Sequence, residues 1–155
     1  MLLEIEASQG AVVRTLGGSF FPAAQVKILK DLSGFDRCIE ITPSNLFIHL
    51  CQCKEWQSAQ EQGTFISKSL SREGFIHCSQ PEQILCVANR FYQGIPGLIL
   101  LWIDPEKITS EIRWEVVDGV RFPHIYGPIN LDAVISAPDF KADDDGVFRT
   151  IQVPD

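Results

Sequence analysis

The sequence predicts an α+β domain built on a split or strongly curved mixed β-sheet of about six or seven strands, with two helices placed early. Three observations predict it. A continuous apolar run, residues 98–103, is strand-sized, lies between Pro96 and Pro105, and reads as a central strand buried on both faces. Residues 111–117 alternate, with Ile112, Trp114 and Val116 on one side and Arg113 and Glu115 on the other. Helical periodicity is strongest in two stretches, both before Gly94.

The elements follow in order. Residues 1–44 carry Gly10, Gly17, Gly18, Pro22, Gly34 and Pro43 among short apolar patches. They read as a peripheral extension, partly ordered, in which residues 23–32 could form one short helix. Dense patterning starts at Asn45 and defines a single domain over 45–155. Residues 46–50 form a first strand and residues 54–62 a helix, closed by Gly63. Residues 64–66 are a short extended piece, and residues 74–79 are a second short strand.

Ser79, Pro81 and Glu82 have the spacing of a capping box with proline in the first turn. The helix they would open carries Ile84, Leu85, Val87, Ala88 and Phe91 on one period and ends at Gly94. Asp118-Gly119 is a hairpin signal. Residues 122–128, with two prolines and a glycine, read as a loop. Residues 131–137 and 147–153 read as late strands flanking the acidic turn at Asp143, Asp144, Asp145 and Gly146.

Composition narrows the class without naming a chemistry. Apolar residues are 45% and charged residues 21% of 155, as in a globular chain with its own core. Twenty acids against thirteen bases leave a net charge of −7, which argues against an extended nucleic-acid face and against docking on an anionic membrane. Residues 1–45 hold five of the acids and four of the bases, so all but one unit of that charge falls on the rest. No run approaches the ~20 apolar residues of a bilayer span, and Glu4 and Glu6 stand where a signal peptide would be basic. Five cysteines without a CxxC fit reduced thiols, so the expectation is a soluble, cytoplasmic protein.

Chemistry must then come from a few polar residues. The three histidines all occupy unusual places: His49 inside a strand, His77 at a strand end, His124 between prolines. Each alone reads as a hydrogen-bonded core histidine; together they suggest a shared site. Ser79 is an N-cap, and the helix start behind His77 could face a phosphate or ribose. Glu115 is either an exposed sheet residue or a carboxylate projecting into a cleft, where it could bond a ribose hydroxyl and stabilise an oxocarbenium-like state. The 122–128 segment, with Phe122, His124 and Tyr126, suits either a stacking wall or a plug against the core. A zinc site from His49, Cys51, Cys53, His77 and Cys78 is disfavoured, because adjacent His77 and Cys78 point to opposite faces of an extended chain.

Several of these stretches together resemble one family: residues 47–49, 56–59, 73–79, Gln83, 87–92, 98–104, Trp114-Glu115 and 122–128. The family is the domain of unknown function 952, and the resemblance spans about residues 46–153. It implies a fold similar to that of the ADP-ribosyltransferase superfamily, whose split sheet clamps NAD in a crevice. By that resemblance His49 matches the residue on the first strand that grips the ribose, the 77–79 segment the second motif, and Glu115 the third. His49 and Glu115 are then catalytic candidates, and His77, Ser79, His124 and Tyr126 ligand-binding candidates. His77 stands where that superfamily has a tyrosine. The expected activity is ADP-ribosyl or glycosyl transfer from NAD or a related ribosyl nucleotide. NAD would be a substrate, with no cofactor bound tightly and no metal. The alternatives are a non-catalytic nucleotide or small-metabolite sensor and, behind it, a zinc-dependent hydrolase.

Overall fold

A computed structural model describes residues 2–20, 24–42 and 45–154. The chain divides into two compact units, Met1–Ser44 and Asn45–Asp155. The first holds β1 (Leu2–Glu4), α1 (Gly10–Phe20), β2 (Gln25–Lys30) and β3 (Asp36–Thr42), with antiparallel strand order β1-β3-β2. The helix expected over 23–32 is a correction: residue 23 lies outside the described residues, and the rest is largely β2. Val26 and Ile28 are half-buried while Lys27 and Leu29 are exposed, a period of two that β-branched side chains favour over a helix. Ile5 and Ile39 are buried here with Val13, Ala24 and Val26 against them.

The second unit runs β4 (Phe47–Gln52), α2 (Cys53–Gln62), β5 (Thr64–Phe65), α3 (Lys68–Glu73), β6 (Ile76–His77), α4 (Ile84–Phe91), β7 (Leu98–Ile103), β8 (Glu111–Val117), β9 (Val120–Tyr126), β10 (Ile129–Asn130), β11 (Val134–Ser136) and β12 (Asp139–Phe140). All six residues of β7 are buried. It pairs with β4 along one edge and with β11 and β12 along the other. A second sheet has order β6-β9-β8, and β5 pairs with β10. Every strand pairing among the described residues is antiparallel, so the expected mixed sheet is not formed.

The core lies between the two larger sheets. Phe47, Cys51, Ile99, Leu101 and Ile103 from β4 and β7 pack with Ile76, Ile125 and Ile129. The opposite face of β7 is covered by the C-terminal segment, where Trp102 Nε1–H donates to the Gln152 carbonyl at 3.0 Å. One stretch of chain is hydrogen-bonded into both sheets. Ile76 and His77 pair with β9, and two residues on Ser79 exchanges both backbone hydrogen bonds with Ile48 of β4, each 2.8 Å. Residues 76–79 therefore leave one sheet and enter the other, which is the split the sequence predicts.

That handover explains a second correction. Ser79 is not an N-cap, because its backbone N–H and C=O are bound to β4. A turn around Pro81 intervenes, and α4 begins at Ile84 behind Gln83. The Gln83 side chain accepts from Gln80 N–H and donates to the Arg121 carbonyl, 2.8 Å each, so it ties the helix entry to β9.

A third correction concerns residues 122–128, expected as a loop: most of them form β9. Pro123 is tolerated because its ring nitrogen faces the β6 side, where the chain is already turning toward β4. Its carbonyl still accepts from Cys78 N–H at 3.1 Å. Residues 147–153 are irregular rather than a strand. Asn89 satisfies both backbone groups of Phe148, accepting from its N–H at 2.9 Å and donating to its carbonyl at 2.8 Å. No neighbouring strand is needed there. Helix α3 was not anticipated; six residues are too few for a readable period, and only Ser67 as N-cap and the left-handed Gly74 (φ 89°) mark it.

Candidate functional site

The site forms on the face of the β6-β9-β8 sheet turned away from the core. Successive residues of a strand face opposite ways, so burying Ile76, Ile112 and Ile125 sends His77, Arg113, Glu115, Phe122, His124 and Tyr126 to the other face. The register aligns His77, His124 and Arg113 across three strands. Asp118 and Gly119, at φ 52° and 80°, close β8 and β9 in the tight hairpin expected of them and fix that register.

Glu115 is the hub. Its Oε2 accepts from His124 Nδ1–H at 2.5 Å and its Oε1 from the Tyr126 hydroxyl at 2.8 Å. These two donors, His124 first, hold the Glu115 carboxyl below the usual carboxylate range. The same bond holds the Tyr126 phenol above its ordinary value, because losing the proton would leave two anions in contact. Arg113 lies over the Tyr126 ring at 4.2 Å and is bound through two nitrogens to Glu111, 2.8 Å each. Since an ionised Glu115 can only accept, neutral His124 carries its proton on Nδ1 and its lone pair on Nε2.

Phe75 and His77 complete the setting of His124. Phe75 stacks on the His124 ring at 4.3 Å and 17°, and the His77 ring meets His124 edge-on at 5.1 Å. His77 Nε2 is 2.9 Å from Glu73 Oε2, and its side chain is half exposed. His124 itself is 3% exposed.

A cavity of about 410 Å³ opens beside this group, between the sheet and α4. Its polar walls are His77, Ser79 and His124, and Val87, Phe91, Tyr92 and Phe122 are among its apolar ones. Its size is that of an ordinary small-molecule site. Cys78 also lines it, but burial raises its thiol pKa far above neutrality, so it is an inert wall. Burial likewise pushes the Cys51 thiol up to about 12. Among the described residues no group of three His, Cys, Asp or Glu side chains is arranged to hold a metal.

The structure thus brings together four of the six residues singled out from the sequence, Glu115, His124, Tyr126 and His77, of which His124 and His77 line the cavity and Glu115 and Tyr126 do not. Ser79 lines the cavity but is held through its backbone to β4. His49 is not among the lining residues. It is buried between the sheets with its ring edge-on to Phe65 at 5.1 Å, and its Nδ1–H donates to the His77 carbonyl at 2.6 Å. Burial holds its pKa below the ordinary histidine value, so it stays neutral. The α4 N-terminus, expected to face a phosphate, does not border the cavity; Val87, Phe91 and Tyr92 belong to its middle and C-terminal end. Phe75 and Arg113 were not anticipated as site residues. The available signal was parity, since Phe75 lies two residues from His77 and Arg113 two from Glu115.

Fold and site together define a class: an α+β domain with split antiparallel sheets and a carboxylate–imidazole pair beside a small apolar cavity. The chain belongs to the family described as "Protein of unknown function (DUF952)", which matches residues 50–137. Among solved structures it is similar to the crystal structure of protein CC0527 from Caulobacter crescentus. The two share 34% sequence identity over 67% of this chain and 93% of that one, with a TM-score of 0.63. The solution NMR structure of CC0527 is similar at 33% identity, covering 68% of this chain and 93% of that one, with a TM-score of 0.61. No curated protein matches the chain.

Proposed function

We propose that the 45–155 unit is an ADP-ribosyltransferase-type enzyme that binds NAD or a related ribosyl nucleotide in the cavity beside β9. The observation that carries this reading is the Glu115 carboxylate, clamped by His124 and Tyr126 on one face of a split sheet, with His124 linking it to the cavity that it lines. In the reaction the C1′–N bond of the ribosyl nucleotide breaks and nicotinamide leaves with the electron pair. The negative charge on Glu115 stabilises the oxocarbenium-like carbon. The acceptor's nucleophilic oxygen or nitrogen then bonds to C1′ and gives up its proton to His124 Nε2. The test is isothermal titration with NAD, followed by an assay for released nicotinamide. Millimolar NAD should bind and be turned over. Glu115→Gln should lower turnover by at least about 100-fold, the scale of one lost electrostatic stabiliser, with the near-UV circular dichroism unchanged. No binding of NAD to folded protein, or full turnover by the variant, sinks the enzymatic reading.

A second reading, a non-catalytic sensor using the same cavity, is favoured by one observation. Both Glu115 oxygens are already occupied by side chains, and His49 stands off the cavity. It differs in outcome: the ligand binds and nicotinamide is not released.

A further inference from the structure

Resting on the ribosyl reading, we infer that the cavity takes the unphosphorylated base–ribose end of its ligand, so that the site selects nucleosides over nucleotides. Three independent features point there.

The first is charge. No lysine or arginine is among the residues that line the cavity. The nearby guanidinium groups have partners of their own. Arg90 pairs with Asp118 at 3.2 Å and lies over the Phe91 ring at 5.0 Å, Arg113 pairs with Glu111 at 2.8 Å, and Arg121 lies over Trp114 at 5.5 Å. Phosphate recognition needs such groups or clustered backbone N–H donors.

The second is the helix. The wall is built from Val87, Phe91 and Tyr92, which places the C-terminal half of α4 at the cavity. Helix C-termini carry partial negative charge, the wrong sign for an anion and the right one for a neutral or cationic ring. The Glu115 carboxylate on the same sheet face, whose hydrogen-bond partners are His124 and Tyr126, adds to that field.

The third is the kind of polar group at the cavity: besides His124, the lining residues Ser79 and Tyr92 carry hydroxyls, which suit the hydroxyls of a sugar. His124 donates through Nδ1 to Glu115, and no protein group bonds its Nε2. No buried side-chain nitrogen or oxygen among the described residues lacks a partner, so Nε2 is reachable from outside the protein. With the proton on Nδ1, it can accept a hydrogen bond from a hydroxyl or N–H. Phe91, Phe122 and Tyr92 supply faces and edges for a flat base. A ribose hydroxyl on Nε2 with its base among those rings accounts for both the polar floor and the aromatic walls.

The experiment compares adenosine with AMP, and nicotinamide riboside with NAD, by isothermal titration into the full chain at low and high salt. The nucleosides should bind, each at least as tightly as its phosphorylated partner, with affinity nearly independent of salt. Glu115→Gln removes the carboxylate charge and one of the two acceptor oxygens that fix the His124 ring and Tyr126. It should weaken nucleoside binding about tenfold, the worth of roughly one hydrogen bond. Val87→Trp, which fills the cavity from the helix side without touching Glu115, should abolish it. Nucleotides binding tenfold tighter than nucleosides, with that gain lost in salt, would overturn the inference and leave the ribosyl reading standing. Failure of all four ligands would remove both. Unchanged nucleoside affinity in folded Glu115→Gln or Val87→Trp protein would also overturn the inference, because the binding would then lie elsewhere.

Discussion

His49 shows how a buried polar side chain can act on a site it does not line. Its Nδ1–H satisfies the His77 carbonyl at the point where residues 76–79 pass from one sheet to the other. His49→Phe leaves that carbonyl without its donor and should cost about 1–3 kcal/mol in urea unfolding at pH 8. A pH effect follows from burial. The folded state holds the His49 pKa below its ordinary value, whereas the unfolded chain takes up a proton near pH 6.5. Below that pH the unfolded state binds more protons, so the stability that His49 contributes is complete above about 6.5 and is lost as pH falls through the lower, folded-state pKa. Unfolding curves between pH 8 and 5 should therefore fall more steeply for the native protein than for His49→Phe; parallel curves would show that His49 does not titrate in this range. At this scale the candidate site was largely legible, because Glu115, His77, His124 and Tyr126 stand out by type and by strand parity. What could not be read was that Glu115 binds His124 and Tyr126 directly. Those contacts depend on how β8 and β9 are paired, and the expected loop at 122–128 concealed that pairing. His49 was misplaced for the same reason: parity says which face of β4 it takes but not that this face is sealed by a second sheet.

Elements went astray where backbone partners come from outside the element. Ser79 has the residue type and spacing of an N-cap, yet hydrogen bonds to Ile48 keep it extended. Phe148 lies in a strand-like stretch, yet its backbone groups are taken by the Asn89 side chain. Where the local signal is complete, as in the six apolar residues of β7, the Asp118-Gly119 hairpin or the Gly63 stop of α2, element and expectation agree. The β8–β9 hairpin also offers a test of how tightly its open end is packed. A Cβ at Gly127 would stand 2.9 Å from Ser110 Cβ and 2.5 Å from Ser110 Oγ, whose hydroxyl donates to the Pro128 carbonyl at 2.7 Å. Gly127→Ala should therefore destabilise by about 1–3 kcal/mol, the usual cost of forcing atoms into a filled site. Ser110→Gly removes both clashing atoms, so the double variant should be more stable than the two single effects added together. Simple additivity in thermal unfolding would mean that the backbone at Gly127, rather than the contact with Ser110, limits the substitution.

At the scale of the whole chain, the two compact units have separate cores, and this can be tested without knowing the ligand. The buried cluster of the first unit is Ile5 and Ile39, while the principal cluster of the second starts at Phe47. The family match at 50–137 lies wholly within the second unit, and the CC0527 structure is covered over 93% of its length by 67% of this chain. Residues 45–155 alone should therefore fold as they do in the full protein. The tryptophans make this measurable, because Trp56, Trp102 and Trp114 all lie in the second unit and report on it alone. Trp102 is fully buried with its indole N–H on the Gln152 carbonyl, so its emission is sensitive to the central sheet and to the C-terminal segment together. The expected result is one cooperative transition in urea, with the same fluorescence midpoint for the fragment as for the full chain, and the same near-UV circular dichroism. A fragment lacking that spectrum, or a midpoint that moves markedly when residues 1–44 are removed, would show that the first unit contributes to the stability of the second. Nucleoside titration of the fragment extends the test. Every residue that lines the cavity lies between His77 and His124, so its affinity should equal that of the full chain if the site is wholly contained in the family domain.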